Sequence, residues 1–334
     1  MTRSDVSVAL CTFNGARFLR AQVESIWAQS LRPAEIVAID DRSSDGTYEL
    51  LLNLASESPV PMRIERNAAN LGYVANFEQA LSLVRGDIVF LCDQDDVWVS
   101  RKIETMLAAF EDPAVLLVYS DAQLVDEALR PLAKTLFGAL RLSAEELHAV
   151  ESAELFRALL KRNSVAGAGS AVRRRLVEMA RPFEPGFVQD EWLALIACLS
   201  GRVVRLDQAL LLYRQHGMNQ IGVPITNLAR LQRLFSAASI GRRGVVARLQ
   251  RLHSRMLALG GGAGSAEIAA VEATLAFAQR RVALPEPRLL RLPGIARLWL
   301  TGDYRRYGRG LRTALRDLIE PPRGAGQVAL GSAT

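Results

Sequence analysis

A chain of 334 residues, 50% of them hydrophobic, carries enough apolar surface for one large core or two smaller ones, which excludes disorder throughout. Its net charge of +6 is unevenly held: from Gly217 onward there are 18 arginines, no lysine and 6 acidic residues, leaving the first 216 residues at −6. The three cysteines, Cys11, Cys92 and Cys198, lie in apolar runs without metal-ligand spacing and read as buried free thiols of a reducing compartment. No cationic start leads into an apolar signal-like run and no uncharged apolar stretch reaches about 18 residues, so the expectation is a cytoplasmic chain that at most lies on the inner face of the membrane.

The first part of the chain alternates short apolar or β-branched runs with amphipathic helical patterns, the mark of βαβ units, an α/β fold and a mostly parallel sheet. Strands are predicted at Val6–Leu10, Glu35–Ile39, Met62–Glu65, Asp87–Leu91 and Val115–Tyr119. Leu19, Val23 and Ile26 recur at helical spacing, so a helix over Ala16–Gln29 lays one stripe on the sheet. Further helices are expected over Thr47–Ala55 and Ala75–Val84. Past Asp121 the alternation fades into helical stretches at Glu145–Leu160, Arg173–Ala180 and Glu191–Leu199, then a strand-like Arg202–Leu206. Gln220–Asn227 reads as a hinge, dividing residues 1–220 from a basic, mainly helical extension over 221–334, whose last dozen residues look frayed.

In an open parallel sheet, ligands bind at the carboxyl ends of strands. Polar residues collect at three such ends: Thr12-Phe13-Asn14, Asp40-Asp41-Arg42-Ser43 and Asp93-Gln94-Asp95-Asp96. Singly, these could be helix caps or turns. Together they place five aspartates around one crevice, and clustered carboxylates repel unless a cation or a donor-rich ligand neutralises them. If the fourth strand persists, Asp93 and Asp95 lean to the same face. Hard oxygen ligands in small number suit Mg²⁺ or Mn²⁺ bridging a diphosphate. A phosphatase-type aspartate pair fits less well, since it belongs on a first strand with a small or hydroxylic residue close behind. Asp190 opens a helix and is either its N-cap or a carboxylate able to accept a proton from an attacking hydroxyl; His216, after Tyr213-Arg214-Gln215, is either structural or a ligand.

Ser7-Val-Ala-Leu-Cys-Thr-Phe-Asn14, Glu35-Ile-Val-Ala-Ile-Asp-Asp-Arg-Ser-Ser-Asp-Gly-Thr47, Asn70-Leu-Gly72, Gly86-Asp87 and Asp93-Gln-Asp-Asp-Val-Trp98 stand in an order that resembles the inverting glycosyltransferases of family 2, with a GT-A fold, over about residues 5–216. The acidic motif, Asp190-Glu-Trp192 and Tyr213-Arg-Gln-His216 look most like its rhamnosyltransferase-like branch, which decorates bacterial surface polysaccharides. The resemblance implies that Thr12, Phe13 and Asn14 hold the base and ribose, and that Asp41, beside Asp40, accepts a bond from the pyrimidine N3. It implies that Asn70 and Asp87 line the nucleotide cleft and that Asp93 reaches the ribose or sugar. By the same resemblance Asp95 is expected to hold the metal, with Asp93 and His216 as further ligands, and Asp190 to be the catalytic base. Asn163–Ser170 resembles the glycine-bearing loop beneath the donor sugar, so Gly167 and Gly169, with Asp96 and Trp192, are assigned to the donor and acceptor loops. Two departures stand out: Arg42 replaces the usual Gly or Asn, and Gln189 replaces the usual His or Glu.

The function so implied is metal-dependent, inverting hexosyl transfer, with rhamnose as the branch's sugar. The donor is a dTDP-, UDP- or GDP-linked sugar, and the acceptor a hydroxyl of a polysaccharide or lipid-linked glycan. The alternative is a catalytically inactive nucleotide-sugar sensor with a tail for an anionic partner. Leucines between Leu289 and Leu300 and Trp299 mingle with Arg291, Arg297, Arg305, Arg306, Arg309, Arg312 and Arg316, a pattern for an anionic membrane surface or equally for packing or dimerisation. Few aromatics interleave these arginines, which argues against nucleic acid.

Overall fold

The computed structural model describes residues 5–141, 152–217, 241–259 and 264–320, so the expected hinge at Gln220–Asn227, the frayed C-terminus and residues 145–151 of one expected helix lie outside the described residues. The chain divides into a first unit of Met1–Leu159 and Asn163–Val223, and a second of Leu160–Arg162 and Pro224–Thr334.

In the first unit β1 (Val6–Thr12) is buried along its whole length, as a strand flanked by neighbours on both edges and layered on both faces must be. It pairs in parallel with β2 (Glu35–Asp40) and β4 (Ile88–Asp93), and β2 pairs in parallel with β3 (Met62–Arg66). Between them run α1 (Ala16–Trp27), α2 (Thr47–Glu57) and α3 (Tyr73–Leu83); the expected stripe of Leu19, Val23 and Ile26 is wholly buried. This half is the parallel sheet read from the sequence. Beyond it the sheet is mixed. A two-residue β5 (Val97–Trp98) precedes α4 (Lys102–Ala109), and β6 (Val115–Val125) is followed by β7 (Pro131–Thr135) and the short α5 (Leu136–Leu140). Next come α6 (Ser152–Lys161), a 3₁₀ turn at Gly167–Gly169, β8 (Ser170–Arg173), α7 (Arg174–Ala180), α8 (Gln189–Ser200) and β9 (Arg202–Arg214).

The strand order is β3-β2-β1-β4-β8-β6-β9-β5, with β7 on β6. The strand β8 runs antiparallel to both β4 and β6, while β9 runs parallel to β6 and antiparallel to β5. The expected sheet is therefore wholly parallel in its first half and mixed in its second, where β9 on β6 is parallel and the pairings of β8, β5 and β7 are antiparallel. The strand β9 reaches eight residues past its expected end, because the polar Asp207-Gln208 pair is absorbed as an irregularity: Leu206 faces Ser120 and Ala209 faces Asp121. It is this extension that carries Arg214 and His216 back to the acidic turn.

The second unit is helical. Helices α9 (Arg242–Ala258) and α10 (Ser265–Val282) pack on each other; a 3₁₀ turn at Arg288–Arg291 leads to α11 (Leu292–Leu300), α12 (Asp303–Arg306) and α13 (Leu311–Ile319). Pro293 does not break a helix but sits in the first turn of α11, where its missing N–H has no intrahelical partner to lose. The core is built from Phe277, Leu298, Tyr304 and Ala314, flanked by Ile295 and Tyr307. Two arginines lie inside. Arg281 is paired through Nε and Nη2 with the two carboxylate oxygens of Asp317, each at 2.7 Å, and Arg291 donates to the carbonyls of Pro285, Glu286, Asp317 and Glu320. Arg291, expected on a basic outer face, is a buried crosslink that joins the carbonyls of the Pro285-Glu286 loop to those at the end of α13.

Candidate active site

The parallel strands β1, β2 and β4 deliver their carboxyl ends to one edge, so the loops Phe13–Gly15, Asp41–Gly46 and Gln94–Asp96 meet there. Gln94 joins the first and third. Its Oε1 accepts from Phe13 N at 2.8 Å and its Nε2 donates to Phe13 O at 2.9 Å, so one carboxamide pairs with a peptide as a neighbouring strand would. Gly15 makes room for this clasp, since a Cβ there would lie 2.0 Å from Gln94 Oε1. Asn14 takes a left-handed φ of 49° and accepts from Ser44 N at 2.9 Å, while its own N–H donates to Ser43 Oγ. The Phe13 side chain is left 38% exposed at the mouth.

Asp40 and Asp41 are both buried, and both hold the surrounding loops together. Asp40 accepts from Thr12 Oγ1, Ser43 N and Ser43 Oγ and pairs with Arg66 at 3.4 Å. Asp41 accepts through Oδ1 from Asn67 Nδ2 and Leu71 N and through Oδ2 from Gly72 N, each at 2.8 Å. Asn70 closes the same loop, donating to Asp41 O at 3.3 Å and accepting from Gly72 N. Arg42 is exposed, with φ 66°.

The strand β4 ends at Asp93, so Asp93 and Asp95 do not continue one strand face; Asp95 belongs to the turn before β5. Burial, then the charges of Asp95 and Asp190, push the Asp93 carboxyl up to about 7. Asp95 Oδ2 lies 2.7 Å from His216 Nε2, with the His216 ring against Phe18 at 4.9 Å. The backbone of Asp95 accepts from Arg214 Nε at 2.7 Å, and the Arg214 guanidinium covers the Phe18 ring. Asp96 was assigned to the donor loop, and the structure corrects this: it is 1% exposed and faces inward, its Oδ1 accepting from Arg214 N at 2.9 Å. Burial, reinforced by Asp95 and Asp93, drives its carboxyl well above the ordinary range. Beneath this turn lies Lys102, fully buried, its Nζ 4.2 Å from the centre of the Trp98 ring and donating to Ala168 O at 2.6 Å. Desolvation lowers it to about 8 against the opposing pull of Cys92, Asp96 and Asp93.

Ala168 belongs to the Gly167–Gly169 turn, and the same turn holds Asp190. Gly167 N donates to Asp190 Oδ2 at 2.8 Å; Oδ1 accepts from Asn163 Nδ2 at 2.9 Å and from Glu191 N at 2.6 Å. Burial raises Asp190 to about 6 despite these bonds. Gly169 must lack a side chain because a Cβ would meet Ser120 O at 2.9 Å. Gln189 is buried beside Asp190, and its Oε1 has no hydrogen-bond partner among the described residues.

Two expected site residues stand elsewhere. Asp87 precedes β4, about 20 Å along the strand from Asp93 at the usual rise per residue, and pairs with Arg173 at 2.6 Å at the amino end of the sheet. It lines no part of the crevice; it ties β4 to β8. Trp192 is wholly buried, donates through Nε1 to Ala180 O at 2.8 Å and packs on Phe187, so it is core under α8 rather than a wall of the donor or acceptor loops. Conversely, the sequence reading passed over Lys102 and Tyr73, and it quoted Gln94, Asn163 and Tyr213 only as members of motifs, with no role of their own. Tyr73 feels the charges of Asp190 and Glu191, and Tyr213 those of Asp96, Asp93, Asp95 and Asp190; both hydroxyls are raised, mainly by burial. Their only sequence signal is adjacency: Tyr73 follows Asn70-Leu-Gly72, and Tyr213 precedes His216 by three.

Among the described residues no three of His, Cys, Asp and Glu converge as a ready-made metal cage. Mg²⁺ and Mn²⁺ need less, being held by one or two carboxylates with the substrate's phosphates completing the shell. Asp93 and Asp95, mutually repelling, with His216 on Asp95, fit that reduced set.

A parallel half-sheet continued by a mixed half, with an Asp-x-Asp turn at the end of its fourth strand, defines a GT-A type nucleotide-sugar transferase fold. The chain belongs to glycosyl transferase family 2, whose model matches residues 7–178. It is similar to an uncharacterized glycosyltransferase of Nostoc sp., 25% identical over 64% of this chain and 66% of that one. It also resembles UDP-Glc:alpha-D-GlcNAc-diphosphoundecaprenol beta-1,3-glucosyltransferase WfaP of Escherichia coli, 29% identical over 35% of this chain and 45% of that one. The chain thus spans about two thirds of the first of these relatives and under half of the second. In fold it matches Staphylococcus aureus TarS in complex with UDP-GlcNAc, with TM-score 0.57, 14% identity and 92% of this chain and 83% of that one covered. It likewise matches a mannosyltransferase from Pyrobaculum calidifontis in complex with GDP-Man and Mn²⁺, with TM-score 0.54, 20% identity and coverage of 95% and 86%.

Proposed function

We propose that this chain is an active inverting glycosyltransferase that moves a hexosyl group from a nucleoside-diphosphate sugar to a hydroxyl of a cell-surface glycan or its lipid-linked precursor. Rhamnose is the sugar that the motif resemblance favours. The observation that carries the reading is the meeting of Asp93 and Asp95 with Asp190 at one edge of the sheet, close enough for Asp190 to raise the Asp93 carboxyl.

Phe13 presents a ring face to the base, with Thr12 and Asn14 beneath it. Asp41 Oδ2 accepts from Gly72 N, which leaves a lone pair for a pyrimidine N3–H. Asp93 and Asp95, with His216, would hold a divalent cation that offsets the charge of the departing diphosphate. Asp190 takes the proton of the acceptor hydroxyl as the new bond forms from acceptor oxygen to anomeric carbon and the bond from that carbon to the diphosphate oxygen breaks, inverting the centre. Its carboxyl near 6 is a better base than a free aspartate yet ionised at neutral pH. The fixed bonds from Gly167, Asn163 and Glu191 orient it.

The test is a thermal-shift series with UDP-, GDP- and dTDP-sugars, with and without Mn²⁺. A metal-dependent rise of the melting temperature with one donor, followed by transfer of its sugar, is expected; silence across the panel rejects the reading. A shift without any hydrolysis or transfer identifies an inactive sensor instead.

A further inference from the structure

Helices α11 and α13 of the second unit enclose a groove of about 380 Å³ lined by Leu292, Ile295, Trp299, Leu311, Leu315 and Leu318. Leu300, also in the lining, is 85% exposed, and in the turn just before α11 Leu289 and Leu290 are 78% and 63% exposed. Side chains of this size left in water in one segment mark a surface made to be covered.

The charge around the groove identifies the cover. From Arg288 to Ile319 the acidic residues are Asp303 and Asp317; both are buried and paired, with Arg280 at 2.9 Å and Arg281 at 2.7 Å. The exposed charges of that segment, Arg288, Arg297, Arg305, Arg306 and Arg309, are therefore all positive. Arg305 lies over the Trp299 ring at 5.6 Å, so cation and indole share the rim. A second copy docked face to face through this groove would set arginine rim against arginine rim with no acid exposed in the segment to answer it. An anionic lipid layer answers both features at once: headgroups for the arginines, acyl chains for the leucines, and the boundary between them for Trp299.

We propose that the groove between α11 and α13 docks on an anionic lipid bilayer. The proposal does not depend on the transfer reaction, and its test uses no sugar donor. The full chain is mixed with vesicles of phosphatidylglycerol and phosphatidylcholine, or of phosphatidylcholine alone, and bound protein is measured by flotation. Two variants accompany it, Leu289→Glu with Leu300→Glu, and Arg305→Glu with Arg306→Glu. All four positions are exposed, so circular dichroism should show intact helices. Wild type should partition to the anionic vesicles and far less to neutral ones. The partition should fall at least about tenfold in the leucine variant and more in the arginine one, since each arginine near a charged surface contributes about fivefold. Brominated acyl chains should quench Trp299 emission in wild type. A wild type that ignores anionic vesicles, or variants that bind as well as wild type, overturns the proposal; so does a wild-type dimer that the leucine variant converts to monomer. Donor-induced thermal shifts should be the same in all three proteins, which keeps a failure here separate from a failure of the catalytic reading.

Discussion

Asp190 combines two opposed influences: burial raises it to about 6, while three N–H donors fix the carboxylate it must present. Replacement by Asn keeps the shape and removes the basicity. Asp190→Asn is expected to leave nucleotide-sugar affinity within about twofold while cutting turnover at least ~100-fold, the scale of general-base loss; wild-type turnover in that variant removes Asp190 from the role. The pH sign follows from the same shift. Below about 6 the carboxyl holds a proton and cannot take another, so wild-type kcat/KM should fall about tenfold per pH unit there and level off above. For stability the direction reverses. The folded state binds this proton more tightly than the unfolded chain, so this group's contribution to folding is fully present below 3.8 and is lost as pH rises through about 6.

At the scale of elements, α4 and the Gly167–Gly169 turn are joined by Lys102, which reaches Ala168 O from under the acidic turn. Lys102→Met keeps the stem and leaves that carbonyl without its donor, an expected loss of about 1–3 kcal/mol in urea unfolding. Because the same turn holds Asp190, turnover should fall at least about tenfold while KM for the donor changes less; equal falls in turnover and stability in an unrelated core variant would mark the effect as merely structural. Elements were unevenly legible. The parallel half was visible from Val6 to Leu91, because the inner strands β1, β2 and β4, buried on both faces, are nearly continuous apolar runs, the edge strand β3 alternates, and the helices between them keep one stripe. The mixed half was not. Ser170–Arg173 is too short and too close to an arginine run to show a strand, and Ser120-Asp121 and Asp207-Gln208 interrupt apolar runs that the sheet carries straight through. The site shows the same division. Aspartates at strand ends could be read from sequence, but whether Asp87, Asp96 or Trp192 turns toward the crevice depends on partners such as Arg173, Arg214 N and Ala180 O, which are distant in sequence and carry no local mark.

At the scale of the whole chain, the two units keep order by different means. The first relies on a strand core, the second on few apolar residues and a buried ionic crosslink. Removing Asp317 would strand Arg281 and the Tyr304 hydroxyl, which donates to it at 2.8 Å. Asp317→Ala should therefore cost about 3–5 kcal/mol, the scale for breaking a buried pair, and hydrogen exchange should show α10 and α13 losing protection. Unchanged protection there would mean that the crosslink is dispensable. The clasp of Gln94 on Phe13, with Gly15 making way, carries a consequence for recombining the chain. It spans 81 residues, so a chimera that takes its first βαβ segment from one relative and its fourth strand from another inherits half of a lock from each parent. Such hybrids stay compatible only when residue 15 and residue 94 are exchanged together.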